Sequence, residues 1–168
     1  MQNKDIENPR QKSSPSPVSR GESPSGFLGP IGQATDYVQQ VINWLGSIDT
    51  PRSVIIEIDN HTEIDLEMVG YDHLHGGWGH TPVGRIERGQ TLVCSAMDTG
   101  VFTGAEGTIT YKGPGIEIKA YWDNPFVGSN ECDLQLTGPN AEYYSIFHIC
   151  GSGDTNAHMR YEIYPKTN

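Results

Sequence analysis

The sequence predicts an all-β domain: a single antiparallel two-sheet β-sandwich, preceded by a disordered arm and one short amphipathic helix. Two observations support this prediction. From Pro51 onward, short runs rich in strand-forming residues are each bounded by Gly, Pro, Asn or Asp, and no helical pattern separates them. Before Pro51, the pattern changes to a helical period and then, toward the N-terminus, to Ser, Pro and charge. We therefore place the arm at 1–30, the helix and a linker at 31–50 and the β-sandwich at 51–168.

The arm carries Ser-Pro clusters at 13–17 and 22–25. Its composition buries too little apolar area to offset chain entropy, so we expect disorder. It is either a phosphorylatable or cleavable arm or simply a solvated tail. Phe27–Pro30 is interpreted as a short apolar hinge. Met1–Lys12 is charged and no apolar segment follows it, so we expect no secretory signal peptide and a soluble protein, with cytoplasmic storage or signal-peptide-independent release.

A helix is predicted after the hinge, with Thr35 as its N-cap and Gly46 at its end. Its apolar face follows the i, i+3, i+4, i+7 spacing: Val38, Val41, Ile42 and Leu45. Because the helix has no cationic residue, a brace docked on the domain, or a cap over a working surface, is favoured over a membrane-surface helix.

The β-sandwich is predicted from short strands at regular spacing. The predicted strands are Val54–Ile58, Ile64–Met68, Gln90–Met97, Gly107–Lys112, Gly115–Trp122, Glu131–Leu136, Glu142–Ile149 and Ala157–Tyr164. Between the second and third runs we expect a loop, Gly70–Gly84, because this segment is rich in Gly and His.

Charge and cysteine content limit the possible partners. The formal net charge is −10 at pH 7, which repels phosphate backbones and anionic lipid surfaces. We therefore expect no nucleic-acid partner, and membrane contact only with neutral or zwitterionic headgroups. No apolar run reaches transmembrane length. Cys94, Cys132 and Cys150 lie in apolar runs, and their odd number and wide spacing favour buried thiols over a disulfide pair.

Catalytic patterns are weak. His73-x-His75, with Asp72 and His80, is the one metal-like cluster in the sequence, but it lies in a Gly-rich loop without a second set of ligands. A nucleophile elbow and a catalytic cysteine context are both absent. Glycoside hydrolysis needs a pair of carboxylates. Acidic residues are abundant in this sequence, and no pair stands out among the candidates Glu106, Glu117, Asp123 and Glu131. We therefore expect neither an enzyme nor a cofactor.

A binding surface is better supported. Trp78 in the Gly-rich loop and Phe126 in the loop after Gly115–Trp122 are aromatic residues that could enter a bilayer interface. Asp123 and Asn124 could hydrogen-bond an amine or hydroxyl headgroup. Alternatives remain open: Trp78 as an inward core residue, and the Asp-Asn pair as turn residues.

Three segments, in order and with similar gaps, resemble the aegerolysin family: Val101–Ile109, Tyr121–Asn130 and Gly151–Asp154. The similarity is greatest to the small aegerolysin-like component of bacterial two-component insecticidal toxins, which has similar G-T-E-G-T and D-N-P-F-x-G-S-N segments. The resemblance covers about residues 53 to 164.

The resemblance implies a compact β-sandwich that binds membrane lipids, in many members sphingolipids or sphingolipid-sterol mixtures, and a larger partner protein that supplies the pore. Trp78 falls where lipid-binding members have a loop Trp before a Gly, and Phe126 falls where they have a second loop aromatic after the Pro. Two positions differ from the fungal members: 129–131 reads Ser-Asn-Glu where they tend to have a Lys, and Thr103 stands where they have an acidic residue.

The resulting hypothesis is that the protein binds sphingolipid-type membrane lipids and is the targeting component of a two-component pore-forming cytolysin. Such a cytolysin is a haemolytic or insecticidal toxin that acts at target-cell membranes. Trp78 and Phe126 insert, and Tyr121, Asp123 and Asn124 shape the headgroup site. The alternative is a carbohydrate- or receptor-binding β-sandwich module without lytic activity. A homo-oligomer is compatible with either.

Overall fold

The computed structural model describes residues 23–153 and 155–168. Most of the expected disordered arm lies outside these residues. Within them, one α-helix and eleven strands are present, with short 3₁₀ turns at Ile31–Gln33 and Ala141–Tyr143. The elements are β1 (Phe27–Pro30), α1 (Ala34–Ser47), β2 (Ser53–Asn60), β3 (Leu66–His75), β4 (Gly77–His80), β5 (Arg85–Ile86), β6 (Gln90–Met97), β7 (Ala105–Gly113), β8 (Ile116–Asn124), β9 (Glu131–Thr137), β10 (Tyr144–Cys150) and β11 (Asn156–Pro165).

The strands form two sheets, which confirms the predicted β-sandwich. The six-stranded sheet has the order β1-β6-β2-β11-β10, with β4 also paired to β6, and the five-stranded sheet has the order β5-β3-β7-β8-β9. The pairs between named strands are antiparallel except β2 with β11, which is parallel. A parallel pair needs a long connection, and the whole chain between β2 and β11 supplies it.

The main core lies between the sheets. Strands β7 and β8 alternate buried and more exposed residues, as the period-two pattern predicts. Strand β2 is buried on both faces, because its inner side chains enter this core and its outer side chains meet the helix and a group of charged residues. The largest fully buried side chains include Trp122, Tyr111 and Tyr161.

Helix α1 docks on the outer face of the six-stranded sheet, as the brace interpretation predicts. Val38, Val41 and Leu45 pack on Ile55 of β2 and Val93 of β6. The predicted Thr35 cap is wrong: the helix begins at Ala34 without a side-chain cap hydrogen bond. No helix in the described part of the chain is long and apolar enough to cross a membrane.

Two segments expected to be irregular are strands. Phe27–Pro30 is not a hinge but β1, an edge strand paired with β6. Gly70–Gly84 is not a single loop, because β3 continues to His75, turns at Gly76 with φ +85°, and returns as β4. Bulges in β3 break the simple alternation that sequence patterns detect.

Cys132 and Cys150 form a disulfide between β9 and β10, so it joins the two sheets where their edges meet. The prediction of buried thiols is therefore wrong for these two residues, whose Cα atoms lie 5.4 Å apart, within disulfide reach. Cys94 is a buried free thiol, and burial raises its pKa.

Candidate functional site

The β6–β7 loop is folded around one carboxylate. Asp98 accepts four hydrogen bonds, from the backbone of Gly100, Thr103 and Gly104 and from the Thr103 hydroxyl. Burial raises the pKa of Asp98, but these hydrogen bonds together outweigh burial and leave the pKa below its usual value. The loop therefore has a fixed shape, and its tip presents Val101 and Phe102 with exposed fractions of 78% and 68%.

The β8–β9 loop lies beside it and is held by Arg52. The guanidinium donates to the backbone carbonyls of Pro125 and Phe126 at 3.2 and 3.1 Å, and its central carbon lies 5.1 Å from the centre of the Phe126 ring. At the end of the loop, Asn130 donates to the carbonyl of Gly151 at 2.9 Å. The tip residue, Val127, is 85% exposed.

The two loops meet through their aromatic rings. The centroids of Phe102 and Phe126 lie 4.5 Å apart, and Val101 and Val127 flank them in the sequence. We call these four residues the apolar end. Soluble monomers seldom hold several large apolar side chains together in solvent without a partner. Hydrogen bonds to Asp98 and from Arg52 hold the two loops, so these apolar side chains are exposed on ordered loops.

A row of carboxylates crosses the outer face of the five-stranded sheet immediately behind the apolar end. Glu106, Asp123 and Glu131 are direct neighbours across β7, β8 and β9, and we call them the acidic row. Burial, and then the charges of Glu106 and Glu131, raise the pKa of Asp123 to about 6, against the opposing effect of His75. The row thus has a negative potential suited to a positively charged group.

Tyr121 lies two residues before Asp123 on β8, on the same face of the sheet and farther from the apolar end. Its hydroxyl donates to Glu106 Oε1 at 3.0 Å. The ring lines an open cavity of about 360 Å³. The other lining residues are Thr108, Lys119, Asp133 and Gln135. The cavity therefore combines an aromatic wall, hydrogen-bonding groups and one ammonium group.

Of the site residues predicted from sequence, the structure brings Phe126, Tyr121 and Asp123 to this end of the molecule. Asn124 does not contribute in the expected way. It is buried, and its amide donates to the carbonyl of Ser53 at 2.9 Å. The predicted headgroup contact of Asn124 is therefore corrected: its side chain points inward because β8 alternates, and it ties β8 to β2.

Trp78 lies on β4 and not on an exposed loop. It is half-buried and packs against the main core, with its ring centroid 5.6 Å from that of Trp122 and 4.5 Å from that of His73. Of the two alternatives for Trp78, the inward position is the one observed. Trp122 is fully buried.

The histidines of the 72–80 segment do not converge on a metal site in the described residues. His73 packs against Trp78, His75 lies 3.7 Å from Glu106, and His80 is buried against Trp44 of the helix. Their separation follows from the bulge between His73 and His75 and the turn into β4, which give the rings different surroundings.

Sequence reasoning missed Val101, Phe102, Val127 and Arg52 as parts of the site. A local signal for two of them existed: Val101-Phe102 is an apolar pair between Gly100 and Gly104, which is unusual for a solvent-exposed turn. Arg52 had no such signal, because the loop that it holds is more than seventy residues away in sequence.

Comparisons with known proteins agree with this architecture. No protein-family model matches the sequence, and no curated protein sequence matches it. Among solved structures, the lipid binding protein Nakanori matches with a TM-score of 0.65 and 16% sequence identity, over 80% of this chain and 83% of that protein. The two proteins share a fold. At this identity, the likeness concerns the β-sandwich and not the individual residues of a site.

Proposed function

We propose that this protein binds membrane lipids by inserting its apolar end into the interfacial region of a bilayer. The observation that carries the proposal is the apolar end itself, because three of its four side chains are mostly exposed and its loops are held by hydrogen bonds to Asp98 and Arg52. The structural likeness to a lipid binding protein supports the same function.

The energy of insertion is modest. Burying an exposed Val or Phe side chain contributes about 1.5–3 kcal/mol, so partial insertion of Val101, Phe102 and Val127 contributes about 5 kcal/mol. That total corresponds to a dissociation constant of roughly 0.2 mM. The apolar end alone therefore gives weak, reversible attachment, and contacts with the headgroup must supply further affinity and the selectivity.

The polar face behind the apolar end suits a zwitterionic headgroup. The acidic row can attract an ammonium group, and Lys119 in the neighbouring cavity can meet a phosphate. Residues two apart on a strand are separated by about 6.6 Å, so Lys119 lies roughly 13 Å from Asp123, and the two charges are placed to meet neighbouring headgroups rather than the two ends of one. We propose a sphingolipid as the target, since its amide and hydroxyl give Tyr121 and Asp123 further hydrogen-bonding partners.

The resemblance to the aegerolysin family supports a place for this protein in a two-component toxin. Two of the three segments that carry the resemblance, Val101–Ile109 and Tyr121–Asn130, contain the apolar end, the Glu106 and Asp123 positions of the acidic row, and Tyr121. We propose that the protein is the non-enzymatic targeting component, and that once bound to lipid it recruits a larger pore-forming partner.

Sedimentation with neutral phosphatidylcholine vesicles, with and without sphingomyelin and sterol, tests the lipid function. The full chain is compared with the double variant Val101→Ser/Val127→Ser. We expect selective binding to sphingomyelin-containing vesicles and at least a tenfold weaker affinity for the variant, because the transfer energy of two side chains is lost.

The matched control is Tyr143→Ser/Phe147→Ser, which removes two other side chains that are 61% and 51% exposed, away from the apolar end. This control should bind like the wild type. Equal loss in both variants would show nonspecific hydrophobic adhesion. Absence of binding to all vesicles would contradict the proposal, and binding on a glycan array would then favour the carbohydrate-binding alternative.

A further inference from the structure

A group of charged side chains is buried on the outer face of the six-stranded sheet, beside α1. Glu57 and Asp59 come from β2, and Arg160 and Glu162 come from β11. The three carboxylic acids are at most 5% exposed. Arg160 Nε lies 3.0 Å from Asp59 Oδ2, and its guanidinium also contacts Glu57 and Glu162. We call these four residues the buried charge network.

The network holds more negative than positive charge. Three carboxylates face one guanidinium, so two negative charges remain uncompensated when the adjacent His61 and His158 are neutral. Burying uncompensated charge is expensive, since protein interiors solvate ions poorly. A divalent cation would balance the two uncompensated negative charges of the network.

Three buried atoms in this region have no hydrogen-bond partner: Asp59 Oδ1, His61 Nε2 and the hydroxyl oxygen of Thr91, which lies opposite Asp59 on β6. Asp59 is fully buried, and its Oδ1 is unpartnered. His61 Nε2 is also buried and unpartnered, although it lies 3.4 Å from Glu162 Oε1. Buried polar atoms are almost always satisfied in folded proteins. Two of the three exceptions, Asp59 Oδ1 and His61 Nε2, are atoms that can ligate a metal ion.

We propose that Asp59, His61 and Glu162 bind a divalent cation of the zinc class. One ligand atom from each residue lies within 4.8 Å of the others. An ion with bonds of about 2.1 Å in tetrahedral geometry has ligand atoms roughly 3.4 Å apart, which is the separation of His61 Nε2 from Glu162 Oε1. Zinc sites with three protein ligands take water in the fourth position.

Neighbouring groups already orient the three ligands. The His61 ring stacks on Tyr164 with centroids 4.1 Å apart and an interplanar angle of 8°. Arg160 hydrogen-bonds Asp59 through Oδ2, which leaves Oδ1 for the metal, and its Nη2 lies 2.5 Å from Glu162 Oε1, so that oxygen would be shared between the guanidinium and the ion. Such outer contacts are typical of protein metal sites because they fix ligand orientation. An imidazole with two carboxylates favours zinc over magnesium and calcium, which prefer oxygen ligands alone.

Isothermal titration calorimetry with Zn²⁺ tests this site, with the full chain dialysed first against a chelator and then against buffer without reductant, so that the disulfide stays closed. We expect one Zn²⁺ per chain, with at least tenfold weaker binding of Mg²⁺. His61→Gln should weaken Zn²⁺ binding at least tenfold, because glutamine cannot replace the imidazole ligand.

His158→Gln is the matched control. His158 lies beside the same network, but its Nε2 is bonded to Glu57 at 2.7 Å and is outside the proposed ligand set. Its replacement should leave Zn²⁺ affinity unchanged. Circular dichroism establishes that both variants fold. The proposal is overturned if the folded wild type shows no saturable 1:1 binding, or if His61→Gln and His158→Gln bind Zn²⁺ equally well.

Discussion

The apolar end and the buried charge network depart from the usual distribution of side chains in opposite directions. At the apolar end, Val and Phe side chains lie in solvent. In the network, carboxylates lie inside the protein. Neither arrangement is what stability alone would select, because exposed apolar groups gain no burial energy and buried charges lose hydration. The comparison agrees with the two proposals, in which each region has a partner from outside the chain: a membrane for one and a cation for the other.

The two regions differ in how much they contribute to the stability of the fold. Side chains of the apolar end project from loops and contact little besides each other, so replacing them should leave the free energy of unfolding nearly unchanged. The network lies on the outer face of the paired central strands β2 and β11. Removing its single guanidinium would leave buried carboxylates without their counter-ion. Mutations that change stability and binding separately can therefore test this difference between the two regions.

The largest effect is expected for Arg160→Met. Loss of a partner from a buried ion pair costs about 3–5 kcal/mol, and we expect about 3 kcal/mol because the guanidinium is partly exposed. Urea denaturation at pH 7 measures the loss. Arg88→Met is the control, since Arg88 forms an exposed ion pair with Asp65 and should lose less than about 1 kcal/mol. Equal losses in the two variants would remove the distinction between buried and surface charge.

Asp98→Ala is expected to have an intermediate effect, about 2 kcal/mol, because the hydrogen bonds to this carboxylate are lost. The apolar end should also bind vesicles more weakly, since its β6–β7 loop loses its fixed shape. The lowered pKa of Asp98 means that its contribution is present above about pH 4 and is lost as the pH falls through the folded-state pKa. Denaturation curves of wild type and variant should therefore converge in acid. A constant difference at all pH values would contradict this assignment.

The smallest effect on stability is expected for Asp123→Asn. The pKa of Asp123 is raised to about 6, so the folded state holds its proton more tightly than the unfolded chain. Stability of the wild type therefore falls as the pH rises from about 4 to 6 and stays lower above that window.

We expect Asp123→Asn to be more stable than the wild type at pH 8, by less than about 1 kcal/mol because Asp123 is partly exposed, and equally stable at pH 4. Thermal unfolding at the two pH values measures this difference. A variant that is less stable than the wild type at pH 8 would show that the acidic row is not self-repelling.

Periodicity explains which parts of the fold were predictable. Strand β6 has the predicted bounds, Gln90–Met97, because its apolar run is bounded by turn residues. The sequence predicts the start of β3, within Ile64–Met68, but it predicts a loop for the rest of β3 and for β4, because glycines and histidines at 70–80 weaken the local preference for strands and bulges shift the alternation. Pairing of β3 with β7 and of β4 with β6, together with packing of Trp78 against the main core, holds this segment in the strand conformation.

The sites depend on contacts that are distant in sequence, so they were less predictable. Phe126 could be identified from its loop, but its pairing with Phe102 depends on how β7 and β8 align. The Cys132–Cys150 disulfide depends on where the two sheets meet. Glu57 occurs within a predicted apolar strand, and its charged neighbour Arg160 is about a hundred residues away.

Depth-dependent fluorescence quenching shows directly whether the apolar end enters the membrane. An environment-sensitive dye is attached through Val127→Cys at the apolar end or, as control, through Thr137→Cys, which is exposed at the opposite end of β9. Cys94 is buried and the other two cysteines are disulfide-bonded, so labelling is selective. On sphingomyelin-containing vesicles with acyl-chain quenchers, we predict strong quenching and a blue shift for the dye at 127 and no change at 137. Equal responses at both positions, or no response at 127 with vesicle-bound protein, would contradict insertion through the apolar end.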